Sequence, residues 1–161
     1  MVTLETVPWD DADATRLRTA MQAEMRDLYQ DDDEPVPLRD TSTIAAMVLL
    51  RVDGDPAACA ALRHVRPGSW GAGEPGPGLG EVKRVYVAPR FRGRGLSRRV
   101  LAEVERLAAG AGLHRVVLET GDRQTAAMAL YEASGYVRTE RYGGYADVEQ
   151  SRCYAKDLVA P

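Results

Sequence analysis

Cysteine and histidine are scarce in this sequence. Its 161 residues contain two cysteines, Cys59 and Cys153, and two histidines, His64 and His114. The cysteines are far apart, belong to no CxxC motif and lie in apolar segments, so we expect buried free thiols rather than a disulfide framework. With so few potential ligands no metal-binding pattern is visible, and we predict no metal site and structural roles for both histidines.

Long apolar segments and an excess of positive charge are also absent. Residues 1–13 form neither a basic nor an apolar stretch. No window approaches the roughly 20 apolar residues of a membrane span. The formal net charge of −3 disfavours binding to nucleic acid or to an anionic membrane through bulk electrostatics. We therefore expect a soluble, cytoplasmic protein with neither nucleic acid nor membrane as a partner.

The rest of the composition is ordinary for a globular protein, with 45% hydrophobic and 28% charged residues. The length suits one domain over residues 1–161. Hydrophobic periodicity and turn signals predict a mixed α/β sheet with helices on its faces. The predicted strands cover residues 3–7, 44–52, 57–65, 82–87, 115–120, 136–142 and 152–158, with a hairpin turn at Asp53-Gly54. The predicted helices run from the aspartates at 10–13 to about Tyr29, from Leu96 to about Gly110, over 125–134, and briefly within 38–43.

Two further segments are predicted to be loops. Residues 67–80 contain six glycines and three prolines and can hold neither helix nor strand. We expect this segment to be mobile, so that Trp70 and Glu74 can cover a substrate. The acidic run Asp31–Glu34 is either a solvated surface or a lip that attracts a cationic substrate.

The segment 81–112 reads as a strand, a glycine-rich turn and an amphipathic helix, and the other elements are organised around it. The turn Arg92-Gly93-Arg94-Gly95 leads directly into the helix. Free N–H groups and the positive end of the helix dipole meet at such a point, which makes it an anion site. The two arginines of the turn, together with Arg90, make phosphate the expected anion.

Two motifs in this order resemble the GNAT superfamily of N-acetyltransferases, over nearly the whole chain. Residues 92–97 match the family's acyl-CoA loop, Arg/Gln-x-x-Gly-x-Gly/Ala, with Ser97 at the small position. Residues 124–136 match a second family motif, Asn-x-x-Ala-x-x-Leu-Tyr-x-x-x-Gly-Phe, with Gln124 in place of the asparagine. A glycine loop alone is weak support, whereas the pair on the expected elements is specific.

The resemblance implies a mostly antiparallel central sheet with helices on both faces. It also implies a central parallel β-α-β unit in which the strands of Val85 and Val117 splay apart. Acetyl-CoA is the implied co-substrate. Its pantetheine arm would add to the first of these strands, and its pyrophosphate would lie at the helix N-terminus. The residues implied to bind it are Val85, Tyr86, Val87, Arg92, Gly93, Arg94, Gly95, Leu96, Ser97, Arg98, Gln124, Ala127 and Tyr131.

Acetyl transfer needs a neutral amine, stabilisation of an oxyanion and a proton for the leaving thiolate. The resemblance implies that Tyr131 is the acid; otherwise its phenol only lines the slot. Glu81 matches a strand position where some members place a general base; otherwise it forms a surface pair with Lys83. Glu119 is a further candidate for the base, which the family pattern does not recommend. The oxyanion would fall to a backbone N–H near Val87.

The implied function is acetyl-CoA-dependent acetylation of a primary amine of a small molecule, by direct attack in a ternary complex. Two alternatives stay open. One is an acetyltransferase for protein N-termini or lysines, and the other is a non-catalytic acyl-CoA sensor. A homodimer through the last strands is expected by analogy.

Overall fold

The computed structural model describes residues 1–30, 41–65 and 78–159. Within these residues the strands form one seven-stranded sheet in the order β1-β2-β3-β4-β5-β7-β6. Every neighbouring pair is antiparallel except β4 and β5. The strands are β1 (Val2–Val7), β2 (Ile44–Val52), β3 (Asp55–His64), β4 (Leu79–Val87), β5 (Arg115–Gly121), β6 (Val137–Thr139) and β7 (Ser151–Asp157). The helices are α1 (Ala12–Tyr29), α2 (Leu96–Gly110) and α3 (Thr125–Ala133).

Apolar side chains cover both faces of the sheet. Because side chains alternate along a strand, Val48 and Leu50 of β2 face α2 and α3, whereas Met47 and Leu49 face α1. The spacing of apolar residues in α2 places Val100 and Val104 against the face of the sheet that carries Val48 and Leu50. The predicted fold class is confirmed: a mixed, mostly antiparallel sheet has helices on both faces and one parallel pair at its centre.

Local sequence signals account for the start of α1 and for the hairpin. The side chain of Asp11 accepts hydrogen bonds from the N–H groups of Asp13 and Ala14, both at 2.9 Å, and so caps α1. Asp53 and Gly54 have φ angles of 50° and 88° between β2 and β3. Positive φ at both central residues matches the twist of a two-residue hairpin, and the predicted hairpin is confirmed.

The beginning of β4 differs from the sequence prediction. The strand starts at Leu79, inside the segment predicted to hold no strand. A Cβ on Gly80 would lie 2.9 Å from Cδ1 of both Leu62 and Leu113, so the glycine permits close packing. The high glycine content therefore wrongly predicts that no strand begins before residue 81. Residues 67–77 of the predicted loop, including Trp70 and Glu74, lie outside the described residues.

The other differences concern short elements. The strand predicted over 136–142 is limited to β6, whose three residues are all exposed and pair only with β7. Tyr136, predicted to begin it, is instead buried in the core. The helix predicted within 38–43 is a 3-10 turn over Thr41–Thr43, and its earlier residues lie outside the described ranges. Both cysteines are free and buried, as predicted.

Candidate active site

A bulge in β4 is the first feature that shapes the site. Cys59 of β3 is opposite Tyr86 and Ala61 is opposite Lys83, so two steps along β3 match three along β4. The extra residue is Arg84, whose φ of 58° is unusual for a residue with a side chain. A bulge bends its strand and redirects a side chain. It therefore turns the end of β4 away from β5.

The parallel pairing between β4 and β5 is correspondingly short. It joins residues 79–81 to residues 115–117 and ends there, although both strands continue. Past this point β4 still pairs with β3 on its other side. Among the described residues, the edge of β4 that faces β5 therefore lies outside any ladder past Glu81 and could pair with an extended ligand, although Arg92 donates to the Val87 carbonyl. The expected splay is present.

A cleft of about 430 Å³ opens between the diverging strands and the helices. Every residue implied to bind the cofactor lines it except Arg94 and Arg98, which are exposed outside it. Their cofactor role stays a prediction, as do the roles of the others. The lining consists of Met21, Glu24, Met25, Val85, Tyr86, Val87, Phe91, Arg92, Gly93, Gly95, Leu96, Ser97, Arg123, Gln124, Thr125, Ala126, Ala127, Leu130 and Tyr131.

The glycine turn presents the N-terminus of α2 to this cleft. Gly93 and Gly95 have φ angles of 75° and 72°, which residues with side chains rarely adopt. Gly95 is the N-cap residue, and no side chain caps the helix. The first N–H groups of α2 therefore lack a side-chain acceptor and are available to an anion.

The residues of α1 in the cleft were not expected from the motifs. Glu24 accepts hydrogen bonds from the Tyr86 hydroxyl at 2.6 Å and from Nη2 of Arg92 at 2.7 and 2.9 Å. Arg92 Nε also donates to the Val87 carbonyl at 3.0 Å. Burial opposes ionisation of Glu24, but the hydrogen bonds from Tyr86 and Arg92 outweigh it and hold the pKa of the carboxyl below its usual value. One feature of the sequence could have identified Glu24 as a cleft residue: it is a carboxylate placed between Met21 and Met25 in the apolar stripe of α1.

Tyr131 lies on α3 where the cleft meets the core. Its side chain is 6% exposed, and its ring packs 5.8 Å from that of Tyr136 and 6.1 Å from that of Tyr154. Burial raises the pKa of the phenol well above its usual value, and the charge of Glu119 raises it further. The hydroxyl therefore remains protonated and can donate a proton or a hydrogen bond.

Glu81 does not line the cleft. It is 1% exposed, and its carboxylate lies 3.0 Å from Lys83 Nζ and 2.9 Å from Arg63 Nε. The Tyr142 hydroxyl donates to the same carboxylate at 3.1 Å. Arg63 and Glu81 attract each other by charge but form no hydrogen bond, because the Nε–H bond of Arg63 does not point at the carboxylate oxygen. The pair with Lys83 exists but is buried rather than on the surface. The base role of Glu81 stays a prediction, which this geometry disfavours.

Glu119 lies on β5 beyond the last residue that pairs with β4, and it pairs with Cys153 of β7 on the other side. It is half-buried and accepts a hydrogen bond from the Ser151 hydroxyl at 2.7 Å. Burial raises the pKa of its carboxyl above the usual value, while the hydrogen bond from Ser151 and the charge of Lys83 oppose that rise. Unlike Glu81, it forms no ion pair with any residue that the structure describes.

Some sequence expectations cannot be placed. The acidic run at 31–34 lies outside the described residues. Within residues 1–30, 41–65 and 78–159, no three or more side chains are grouped to hold a metal ion. In the same ranges no helix has the length and hydropathy needed to cross a membrane.

The cytoplasmic location of the protein stays a prediction.

Comparison with known proteins gives the following relatives. The sequence model of the acetyltransferase (GNAT) family matches residues 7–136. An IAA acetyltransferase of Azospirillum brasilense is 43% identical over 68 residues, which are 42% of this chain and 44% of that protein. The chain spans less than half the length of the curated relatives that it matches.

Solved structures agree over a longer range. A Klebsiella pneumoniae protein assigned as an acyl-CoA N-acyltransferase has a TM-score of 0.81 at 28% identity, with 99% of each chain covered. A Bacillus subtilis acetyltransferase solved with CoA has a TM-score of 0.69 at 11% identity, over 99% of this chain and 100% of that one, which is a likeness of fold. With the family match covering most of its length, this chain belongs to the GNAT acetyltransferase family.

Proposed function

We propose that this protein transfers the acetyl group of acetyl-CoA to a primary amine of a small molecule. The observation that carries the proposal is the cleft at the splay. A glycine turn before a helix N-terminus, a free strand edge and a buried tyrosine all open into it. The Bacillus subtilis relative of the same fold was solved with CoA.

The cleft residues divide the binding of acetyl-CoA among three elements. Backbone groups of residues 85–87 would pair with the amides of the pantetheine arm. The first N–H groups of α2 would receive the pyrophosphate. Arg92 is tied to Glu24 and to the Val87 carbonyl, so its guanidinium fixes the shape of the turn. Gln124 and Ala127 form the opposite wall.

The reaction is direct attack of the amine on the thioester carbonyl. A C–N bond forms, the C–S bond breaks, and the thiolate takes the proton of the Tyr131 hydroxyl. The N–H of a residue near Val87 would stabilise the oxyanion. Glu119 would accept the proton of the amine, because it combines a raised pKa with freedom from cationic partners among the described residues.

The two faces of the sheet supply the acid and the base separately. Tyr131 belongs to the layer of α2 and α3. Glu119 alternates with Leu118 of that layer and so points to the α1 side. The sheet is open between β4 and β5, and the charge of Glu119 acts on Tyr131 across the opening. An amine entering from the α1 side would meet Glu119 before it reaches the thioester.

Titration calorimetry with acetyl-CoA, followed by an assay of CoA-thiol release over small amines and peptides, tests the function. We expect acetyl-CoA to bind and at least one class of small amine to release thiol. Release with peptides alone would favour a protein acetyltransferase. Binding without release would favour a sensor, and absence of binding would contradict the proposal.

The acid role is tested by Tyr131→Phe, which removes only the hydroxyl. We expect kcat to fall by about tenfold or more while the Kd for acetyl-CoA stays close to that of the wild type. Tyr136→Phe is the matched control, because Tyr136 is equally buried and packs on the Tyr131 ring but does not line the cleft. An unchanged kcat in Tyr131→Phe would leave the phenol as a lining residue.

The base role is tested through the pH dependence of kcat/KM. Because the pKa of Glu119 is raised, the active carboxylate is lost as the pH falls through that raised value, so the acid limb lies above the pH expected for a free glutamate. Ser151→Ala removes a hydrogen bond that lowers this pKa and should move the acid limb to higher pH. Glu119→Gln should abolish the limb, and a limb that persists in Glu119→Gln would assign it to another group.

A further inference from the structure

The segment 142–151, between β6 and the start of β7, lies against the splayed strands on the α1 side of the sheet. Tyr142 packs on Val117, which alternates with Leu118 of the opposite layer. Three hydroxyl groups of the segment form hydrogen bonds with charged groups of β4 and β5. The bonded pairs are Tyr142–Glu81 at 3.1 Å, Tyr145–Lys83 at 2.9 Å and Ser151–Glu119 at 2.7 Å.

Lys83 and Glu119 occupy equivalent positions on the two strands. The last parallel pair joins Glu81 to Val117, and Lys83 and Glu119 each follow two residues later. Because side chains alternate along a strand, both point to the same side as Glu81. They would be direct neighbours if the pairing continued. The strands have separated at this position, and no ion pair joins Lys83 to Glu119.

The ammonium group of Lys83 is held by two other residues. Its Nζ donates to Glu81 Oε1 at 3.0 Å and to the Tyr145 hydroxyl at 2.9 Å, and it lies 5.4 Å from the centre of the Tyr145 ring. Burial opposes the charge of Lys83, but Glu81 and Tyr145 outweigh it and raise the pKa of the ammonium group above its usual value. Lys83 is therefore a cation beside the splay, with one hydrogen-bond donor beyond these two contacts.

The charge of Lys83 bears on the basicity of Glu119. Both Lys83 and Arg84 lower the pKa of the Glu119 carboxyl, with the larger effect from Lys83, whereas the charge of Glu81 raises it. The neighbouring phenols and thiol are neutral, because burial raises their pKa values. These neutral groups are Tyr131 of α3, Tyr145 of the segment 142–151 and Cys153 of β7.

We propose that Tyr145 is a positioning residue: together with Glu81, its hydroxyl holds the Lys83 ammonium group away from Glu119 and so keeps the Glu119 carboxylate free for the amine. This inference rests on the proposed function, in which Glu119 accepts the proton of the amine. If Lys83 were released, an ion pair with Glu119 would stabilise the carboxylate and make it a weaker base. Tyr145 thus acts on the reaction through Lys83.

Tyr145→Phe tests this role, because it removes the hydroxyl that binds Lys83 and keeps the ring. We expect Lys83 to turn towards Glu119 and the pKa of Glu119 to fall by about one pH unit. Carbon-13 NMR titration of the unliganded protein measures this pKa, with the Glu119 signal assigned through Glu119→Gln. The acid limb of kcat/KM should move to lower pH by the same amount, since the carboxylate then persists to lower pH. At neutral pH kcat/KM should fall about threefold or more, because the base is weaker.

Tyr142→Phe is the matched control. It makes the same chemical change in the same segment, but the hydroxyl that it removes binds Glu81 rather than Lys83. Both titrations should stay as in the wild type. A double-mutant cycle supplies the second control: in the background of Lys83→Gln, which removes the charge and keeps a donor, Tyr145→Phe should shift neither titration.

The two readouts separate this inference from the proposed function. An unchanged Glu119 pKa in Tyr145→Phe would overturn the inference, and so would a fall that persists in the Lys83→Gln background. A fall in the Glu119 pKa that leaves the acid limb in place would support the role of Tyr145. It would contradict the base role of Glu119 in the proposed function instead.

Discussion

The site depends on the short parallel pairing between β4 and β5. Hydrogen bonds join the two strands over three residues on each side and then end. The bulge at Arg84 turns β4 away, while apolar layers on both faces hold the strands in their diverging positions. An open seam in the middle of a packed sheet provides the unpaired edge and the entry that a long ligand with a reactive end requires.

Charges are arranged around this seam with a clear division. At the last paired position Glu81 is buried against Lys83 and Arg63, and a buried carboxylate is tolerable only when compensated in this way. Just beyond the pairing, Glu119 has a hydroxyl for a partner and a raised pKa. The first carboxylate is thus held by two cations, and the second has no cationic partner among the described residues. Glu81 and Glu119 both lie near the end of the β4–β5 pairing, but Glu81 contacts two cations whereas Glu119 contacts a hydroxyl group.

The sequence predicts most of the fold and many of the residues that line the cleft on β4, the glycine turn and α3. Helix spacing, the Asp53-Gly54 turn and the glycine turn before α2 are local signals, and local signals survive folding. Gly80 wrongly indicates a loop. The glycine instead permits close packing against Leu62 and Leu113, and this contact is visible only in the tertiary structure. The strand predicted from Tyr136 is also shorter than expected. Apolar and aromatic content alone cannot distinguish a side chain buried in the core, such as Tyr136, from a residue of a paired strand.

The contacts of Glu24 are harder to predict because its partners come from separate elements. Glu24 acquires its surroundings only when α1 packs against β4, where the Tyr86 hydroxyl donates to its carboxylate. No spacing rule joins a helix residue to a strand residue more than sixty positions away. In the same way, the choice between Glu81 and Glu119 depends on which of them the buried cations hold. That depends on three-dimensional contacts rather than on the identity of neighbouring residues.

The proposed binding of the CoA pyrophosphate at the N-terminus of α2 is tested most directly by a charge placed at its N-cap. Gly95→Asp and Gly95→Asn introduce side chains of nearly equal size, and both residues tolerate the positive φ at this position better than most. They differ in charge alone. Calorimetry should show CoA binding at least about tenfold weaker to Gly95→Asp than to Gly95→Asn, because the carboxylate would repel the pyrophosphate. Equal affinities of the two variants would contradict an anion site at this turn.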